Sequence, residues 1–208
     1  MSFHWCDNLH TAVFSPRDYQ VELLAAAFER NTMICLGHKS SKEFIALKLL
    51  QELGRRKDEH DTRISIYLSL NQASAMFTML HNLTDLKVYQ ELSVDASIDA
   101  LPKGFNVYIL HPIVCLQLLR SEIIKMEQIN LLVLEDCHQD VVQSDIVAIF
   151  NEFYKSQHLS AMPKVLGLAG PLHSASCALA ELSAMLNSLE KSVQCKTETA
   201  SDVVTVLR

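Results

Sequence analysis

The sequence predicts a doubly wound α/β fold, a buried parallel sheet with helices on both faces. Three observations carry this. Five short apolar, β-branched runs are spread along the 208 residues. Between them lie segments whose apolar residues recur at three- and four-residue spacing, as in helices with one buried face. The two kinds of segment alternate, which is how parallel strands joined by crossover helices read.

Taken in order, DYQVELLAAAFER (18–30) has helical spacing and leads into the strand TMICLG (32–37). SKEFIALKLLQEL (41–53) is the next amphipathic helix, followed by the strand RISIYLSL (63–70). NQASAMFTMLHNL (71–83) is helical, FNVYIL (105–110) is the third strand, and PIVCLQLLRSEI (112–123) returns to helical spacing. LLVLED (131–136), SDIVAIFNEFYKS (144–156) and KVLGLAG (164–170) complete the series as strand, helix and strand. In such a sheet the ligand crevice lies beyond the carboxyl ends of the strands. Gly37, Glu135 with Asp136, and Ala169 with Gly170 all fall there.

Composition bounds the function. Hydrophobic content of 49% with 20% charged residues is ordinary for a globular protein, and the length suits one domain over 1–208 with an amino-terminal arm over 1–13. No apolar stretch approaches the roughly 20 residues of a membrane span, so no membrane partner is expected. The start, MSFHWCDNLH, lacks the pattern of a signal peptide, and the expected compartment is the cytoplasm. Six scattered cysteines without a CxxC pair read as reduced thiols. A net charge of −6 excludes a broad basic nucleic-acid face, so any such contact is local or shared with other segments. GRRKDEHDTR (54–63) reads as a solvated loop. The last residues, ETASDVVTVLR, end on an apolar run with no breaker, and a piece of a larger chain is expected. His4, Cys6 and His10 lack a fourth ligand at zinc-like spacing, so no metal site is expected there.

The stretch CLGHKSSKEFIALKLL (35–50) has the layout of a phosphate-binding loop without its glycines. Together with SPRDYQVELLAAAFERNTMICL, NLTDLKV, INLLVLEDCH, VLGLAGPL and ETASDVV, in that order, it resembles the first RecA-like domain of a DExH-box helicase, and more closely that of the Dicer family. The resemblance spans nearly the whole chain. Its departures resemble those of the arthropod Dicer paralogue that handles microRNA precursors. The implied fold is RecA-like, of the P-loop NTPase type.

The resemblance assigns residues to an ATP site, and the departures bear on each. Where the family loop reads G-S-G-K-T, this chain has Lys39, Ser40, Ser41, Lys42 and Glu43. Side chains at Lys39 and Ser41 restrict a loop that needs open torsions and close approach to phosphate. Lys42 keeps the cation, while Glu43 replaces the hydroxyl that holds Mg²⁺ and puts a carboxylate where the anion should sit. Loss of two or three charge-assisted hydrogen bonds weakens ATP binding by about 3–9 kcal/mol, or roughly 10²- to 10⁶-fold. The DECH box, whose Asp holds metal and whose Glu positions water, is exchanged here as Glu135 and Asp136, leaving Glu135 a vestigial Mg²⁺ ligand. Displacement by about an ångström costs on the order of 10²-fold in rate. Read alone, the pair is a strand-end acidic cluster. His138 corresponds to the histidine that contacts the partner lobe, and Thr-Ala-Ser of the third motif becomes Ala169, Gly170 and Pro171. Gln20 is either the adenine-reading glutamine or an exposed helix glutamine.

Three functions follow as expectations. The first is a degenerate, ATP-independent module that helps a Dicer-type endoribonuclease hold double-stranded microRNA-precursor hairpins. RNA contacts then come from the loops around Ser69, Asn71 and Gln72 and from His111 and Pro112. The second is an active ATPase lobe using ATP and Mg²⁺. The third is a scaffold docking double-stranded-RNA-binding cofactor proteins. In each the implied neighbours are a second helicase lobe and an insertion domain, and the two-metal nuclease chemistry of ribonuclease III lies outside these residues.

Overall fold

A computed structural model of the chain describes residues 16–37, 41–55, 62–70, 75–93, 100–138, 140–155, 162–170 and 179–200. Among them seven strands form one parallel sheet: β1 (Thr32–Cys35), β2 (Ile64–Leu68), β3 (Val88–Glu91), β4 (Val107–Leu110), β5 (Ile129–Leu134), β6 (Lys164–Ala169) and β7 (Lys196–Glu198). Their spatial order is β3-β4-β2-β5-β6-β1-β7. The helices are α1 (Asp18–Glu29), α2 (Lys42–Leu53), α3 (Ala75–Leu83), α4 (Pro112–Arg120), α5 (Asp140–Ile149) and α6 (Leu179–Val193).

The period of two in each strand sends alternate residues to opposite faces. Ile34, Tyr67, Val107, Ile109, Leu131, Val133, Leu166 and Leu168 enter one core with Tyr19 and Leu23 of α1, Ile45 and Leu49 of α2, and Leu80 of α3. Met33, Ile66, Leu68, Leu110, Leu132, Leu134 and Val165 enter the second core with Val114 and Leu118 of α4, Ile146 and Ile149 of α5, and Leu189 of α6. A sheet buried on both faces explains why the central strands read as continuous apolar runs. The chain passes from β1 through α2 to β2, leaving a gap that β5 and β6 fill. The chain segments following β1, β2, β5 and β6 therefore meet along one edge.

All five expected strands are present, and the fold class stands. Two further strands are not predicted by apolar patterning. β3 reads VYQE and is half-buried, while β7 reads KTE. Both lie at sheet edges, where polar residues are tolerated and discourage pairing with another chain. Helix α6, LAELSAMLNSLEKSV, was likewise not expected. The helix expected over 144–156 begins earlier, at Asp140, and its end passes into a π turn at Phe150–Tyr154, where Lys155 N–H bonds to Phe150 O at 2.8 Å. The two ends of this layer are tied by Arg120 of α4, which grips Glu152 through two nitrogens at 2.6 and 2.9 Å. No helix among the described residues is long and apolar enough to cross a membrane. The expected arm, 1–13, lies outside the described residues.

Packing is close where β6 passes β1 and the exit of β5. A Cβ built on Gly167 would sit 3.1 Å from both Cys137 Sγ and Met33 Cγ. Gly167→Ala is therefore expected to destabilise the domain by about 1–3 kcal/mol through overpacking, read as a lower urea midpoint with an unchanged slope.

Candidate functional site

The site is assembled from the turns that leave the strands. After β1, Leu36 N–H bonds to Ala169 O at 3.3 Å, so the start of the phosphate-loop segment lies against the end of β6. Lys39 and Ser40 lie outside the described residues. Ser41 is left-handed, with φ 51° and ψ 42°. The torsion that a glycine adopts freely is here borne by a serine, at roughly 1–2 kcal/mol. Lys42 opens α2 with its side chain only 8% exposed and its Nζ 3.9 Å from Asp136 Oδ1. Glu43 is half-buried in the first turn of α2, where the helix dipole favours a carboxylate.

Gln20 is buried, 6% exposed, rather than displayed on a helix surface. Its Oε1 accepts the Arg17 N–H at 2.9 Å, closing the first turn of α1, and its Nε2 donates to Ser41 O at 3.3 Å. Both ends of the amide are thus engaged with protein, one of them with the phosphate-loop segment.

Glu135 and Asp136 leave β5 in different directions. Glu135 N–H bonds to Leu68 O at 2.9 Å, and its carboxylate accepts the hydroxyl of Ser69. Burial pushes this carboxyl above its usual range, while the Ser69 hydroxyl opposes the rise. The buried Tyr67 hydroxyl lies near enough to feel Glu135, yet makes no hydrogen bond of full geometry. Asp136 adopts φ 46°, a left-handed torsion that Asp tolerates better than most residues, and faces Lys42. Cys137 turns into the core, its thiol pushed up to about 12 by burial. His138 Nδ1 accepts the N–H of Gly170 at 3.2 Å, joining the second and third motifs through one bond. Ala169 is fully buried, and Pro171 lies outside the described residues.

The positions expected to meet RNA are placed differently from one another. Asn71 and Gln72 lie outside the described residues. Ser69 is 1% exposed and turned inward to Glu135, so its hydroxyl does not face a solvent-side phosphate. His111 caps α4: its Nδ1 accepts the Ile113 N–H at 3.3 Å, and burial holds the imidazole below its usual range. Pro112 follows at the first helical position, where its missing N–H is not needed. The helix expected from Pro112 is thus present.

Among the described residues no group of three or more His, Cys, Asp and Glu is arranged to hold a metal, and His4, Cys6 and His10 lie outside them. Cys35, Cys115, Cys137 and Cys195 are reduced, none of them joined in a disulfide. The charged groups gathered at the start of α2 are thus Lys42, Glu43 and Asp136. The residue that sequence reasoning missed is Ser69 as the partner of Glu135. The signal lies in the period of two in RISIYLSL, which puts Tyr67 and Ser69 on one face, towards α2.

Known proteins resemble this chain over most of its length. Over its full length the chain is 53% identical, across 215 residues, to endoribonuclease Dcr-1 of Drosophila melanogaster. The chain belongs to the Dicer family. Endoribonuclease Dicer of Gallus gallus is 33% identical over 217 residues, covering 97% of this chain. This Dicer-family segment spans about a tenth of the length of these relatives, 10% and 11% respectively. The helicase domain of Pyrococcus furiosus Hef superposes with a TM-score of 0.64 at 16% identity, covering 90% of this chain and 39% of that one. The Dicer-family domain therefore has the RecA-like helicase fold. No protein-family model matches it.

Proposed function

We propose that this domain is an ATP-independent, helicase-like module of a Dicer-type endoribonuclease that helps hold microRNA-precursor hairpins. The observation that supports this is the mutual pairing of the groups a nucleotide would need. Gln20 is engaged with Arg17 and Ser41, Lys42 with Asp136, and Glu135 with Ser69. An entering ATP has to break these contacts and sit beside Glu43, and buried polar groups resist exchange when their existing partners satisfy them. The domain then acts in the cytoplasm without cofactor, beside a second helicase lobe and an insertion domain, with double-stranded RNA as partner. A double-stranded-RNA-binding cofactor protein is a further partner of the same assembly. Buried Lys42 at the start of α2 favours a second reading, in which ATP and Mg²⁺ do bind and gate the RNA contact.

The deciding experiment is the affinity of the intact parent chain for a precursor hairpin, measured with and without millimolar ATP and Mg²⁺ at fixed salt. Equal affinities, within about twofold, are the expected result. A tenfold change with ATP, about 1.4 kcal/mol of coupling, selects the nucleotide-gated reading. Absence of hairpin binding in any state, with a cofactor protein still captured, selects the scaffold.

A further inference from the structure

We propose that Glu135 is a positioning residue whose carboxylate straps the exit of β2 to the exit of β5, holding the ligand edge in one arrangement without a nucleotide. The residues that leave three adjacent strands are already joined by backbone. Glu135 N–H reaches Leu68 O at 2.9 Å, Ser69 N–H reaches Leu110 O at 3.0 Å, and His111 N–H reaches Glu91 O at 3.2 Å. Each of these bonds runs from one strand's exit to the end of the next strand towards the β3 edge. The bond from Ser69 Oγ to Glu135 adds a side-chain tie to the first of them.

The carboxylate's charge is met by the Ser69 hydroxyl, with the buried Tyr67 hydroxyl beside it. The ammonium of Lys42 pairs with Asp136 and not with Glu135. Ser69 for its part is almost wholly buried. A hydroxyl-to-carboxylate bond in such surroundings is of the strong, charge-assisted kind. The exchanged order of the two acidic residues gives Glu, the longer side chain, to the position that reaches across to β2, and leaves Asp facing the lysine. The exchange thus converts a residue that serves nucleotide chemistry in intact relatives of the fold into an internal strap. That the strapped edge is the one facing RNA rests on the proposed function; the strap itself does not.

Amide hydrogen exchange of the intact parent chain tests this, read at 66–70 and, as an internal control, in β1. The variants are Ser69→Ala, Glu135→Ala, the pair together, and Glu135→Gln, whose amide oxygen can still accept from Ser69. Each single alanine variant is expected to speed exchange at 66–70 about tenfold with β1 unchanged. The double variant should go no further, and Glu135→Gln should stay within about threefold of the natural chain. Unchanged exchange in both single variants, additive effects in the double, or Glu135→Gln as fast as Glu135→Ala would overturn the strap. If Glu135→Ala also loosens β1, Ser69→Ala against Glu135→Gln still decides it. Hairpin affinity is measured on the same samples. Lost protection with unchanged affinity keeps the strap and overturns RNA holding at this edge, whereas lost protection with severalfold weaker binding supports both.

Discussion

Millimolar ATP with Mg²⁺ is expected to leave the melting temperature of the two-lobed helicase region unmoved. An intact site with ATP at a hundredfold its Kd stabilises the folded state by about 2.7 kcal/mol, several degrees for a chain of this size. The loss of about 3–9 kcal/mol that follows from Lys39, Ser41 and Glu43 reduces that stabilisation to below about 0.3 kcal/mol. The remaining shift is less than roughly 1 °C. The structure adds a reason that the motif spelling lacks: Lys42 and Gln20 are already satisfied by Asp136, Ser41 and Arg17. The converse experiment carries the sharper information. The triple change Lys39→Gly, Ser41→Gly and Glu43→Thr relieves the left-handed torsion that Ser41 already bears, removes two side chains from the loop and supplies the metal-binding hydroxyl, and a shift of several degrees should return and vanish again with Lys42→Ala. A several-degree shift in the natural sequence, removed by Lys42→Ala alone, would instead mean that the site binds nucleotide as it stands.

Asn31→Ala is expected to cost about 3 kcal/mol. Asn31 stands at the entrance to β1 and joins four parts of the fold. Its Nδ2 donates to Tyr154 Oη at 2.7 Å and to Gln194 O at 3.2 Å, its Oδ1 accepts the Val165 N–H at 3.0 Å, and its own carbonyl accepts the Lys196 N–H at 3.0 Å. Truncation removes the three side-chain bonds and strands the Val165 donor at the start of β6. Each bond contributes roughly 0.5–1.5 kcal/mol, and a stranded buried group costs about 1–3 kcal/mol. For a domain of this length that lowers the melting temperature by about 6–12 °C. Asn31→Asp separates the contributions, since it keeps the acceptor for Val165 but sets a carboxylate against the Gln194 carbonyl; an intermediate loss is expected. Equal stability of Asn31→Ala and the natural chain would show that water replaces the amide without cost.

The central sheet was legible because burial on both faces leaves an unbroken apolar record. KVLGLAG and LLVLED could hardly be anything but inner strands. The edge strands β3 and β7 were not, because an edge has only one sheet neighbour and VYQE and KTE carry the polarity of a loop. Position in a RecA-like sheet, not residue type, makes them strands. At the site, the converging motifs were legible from the rule that ligands gather at the carboxyl ends of strands. The directions of the side chains were not. Whether Gln20 faces solvent or Ser41, and whether Ser69 turns outward or towards Glu135, is decided by contacts between segments far apart in sequence. Helical or strand periodicity reports a face, and it is silent about which partner that face meets. Ser41 is the clearest case: the spelling suggested a loop deprived of its glycine torsion, and the torsion is present in a serine.

The strand order has a consequence for how this chain is made. Thr32 of β1 pairs with Leu166 on one side and with Lys196 on the other, so the first of the described strands obtains both neighbours from segments synthesised long after it. At typical elongation rates of about 5–20 residues per second, Met33 and Ile34, both fully buried in the finished fold, wait on the order of ten seconds for a strand to lie against. Local helices can form in that interval, but the sheet cannot close. The topology that gathers four strand exits at one edge therefore also makes the newborn chain dependent on protection until β6 has left the ribosome, since non-local parallel pairing is slow and exposed to aggregation.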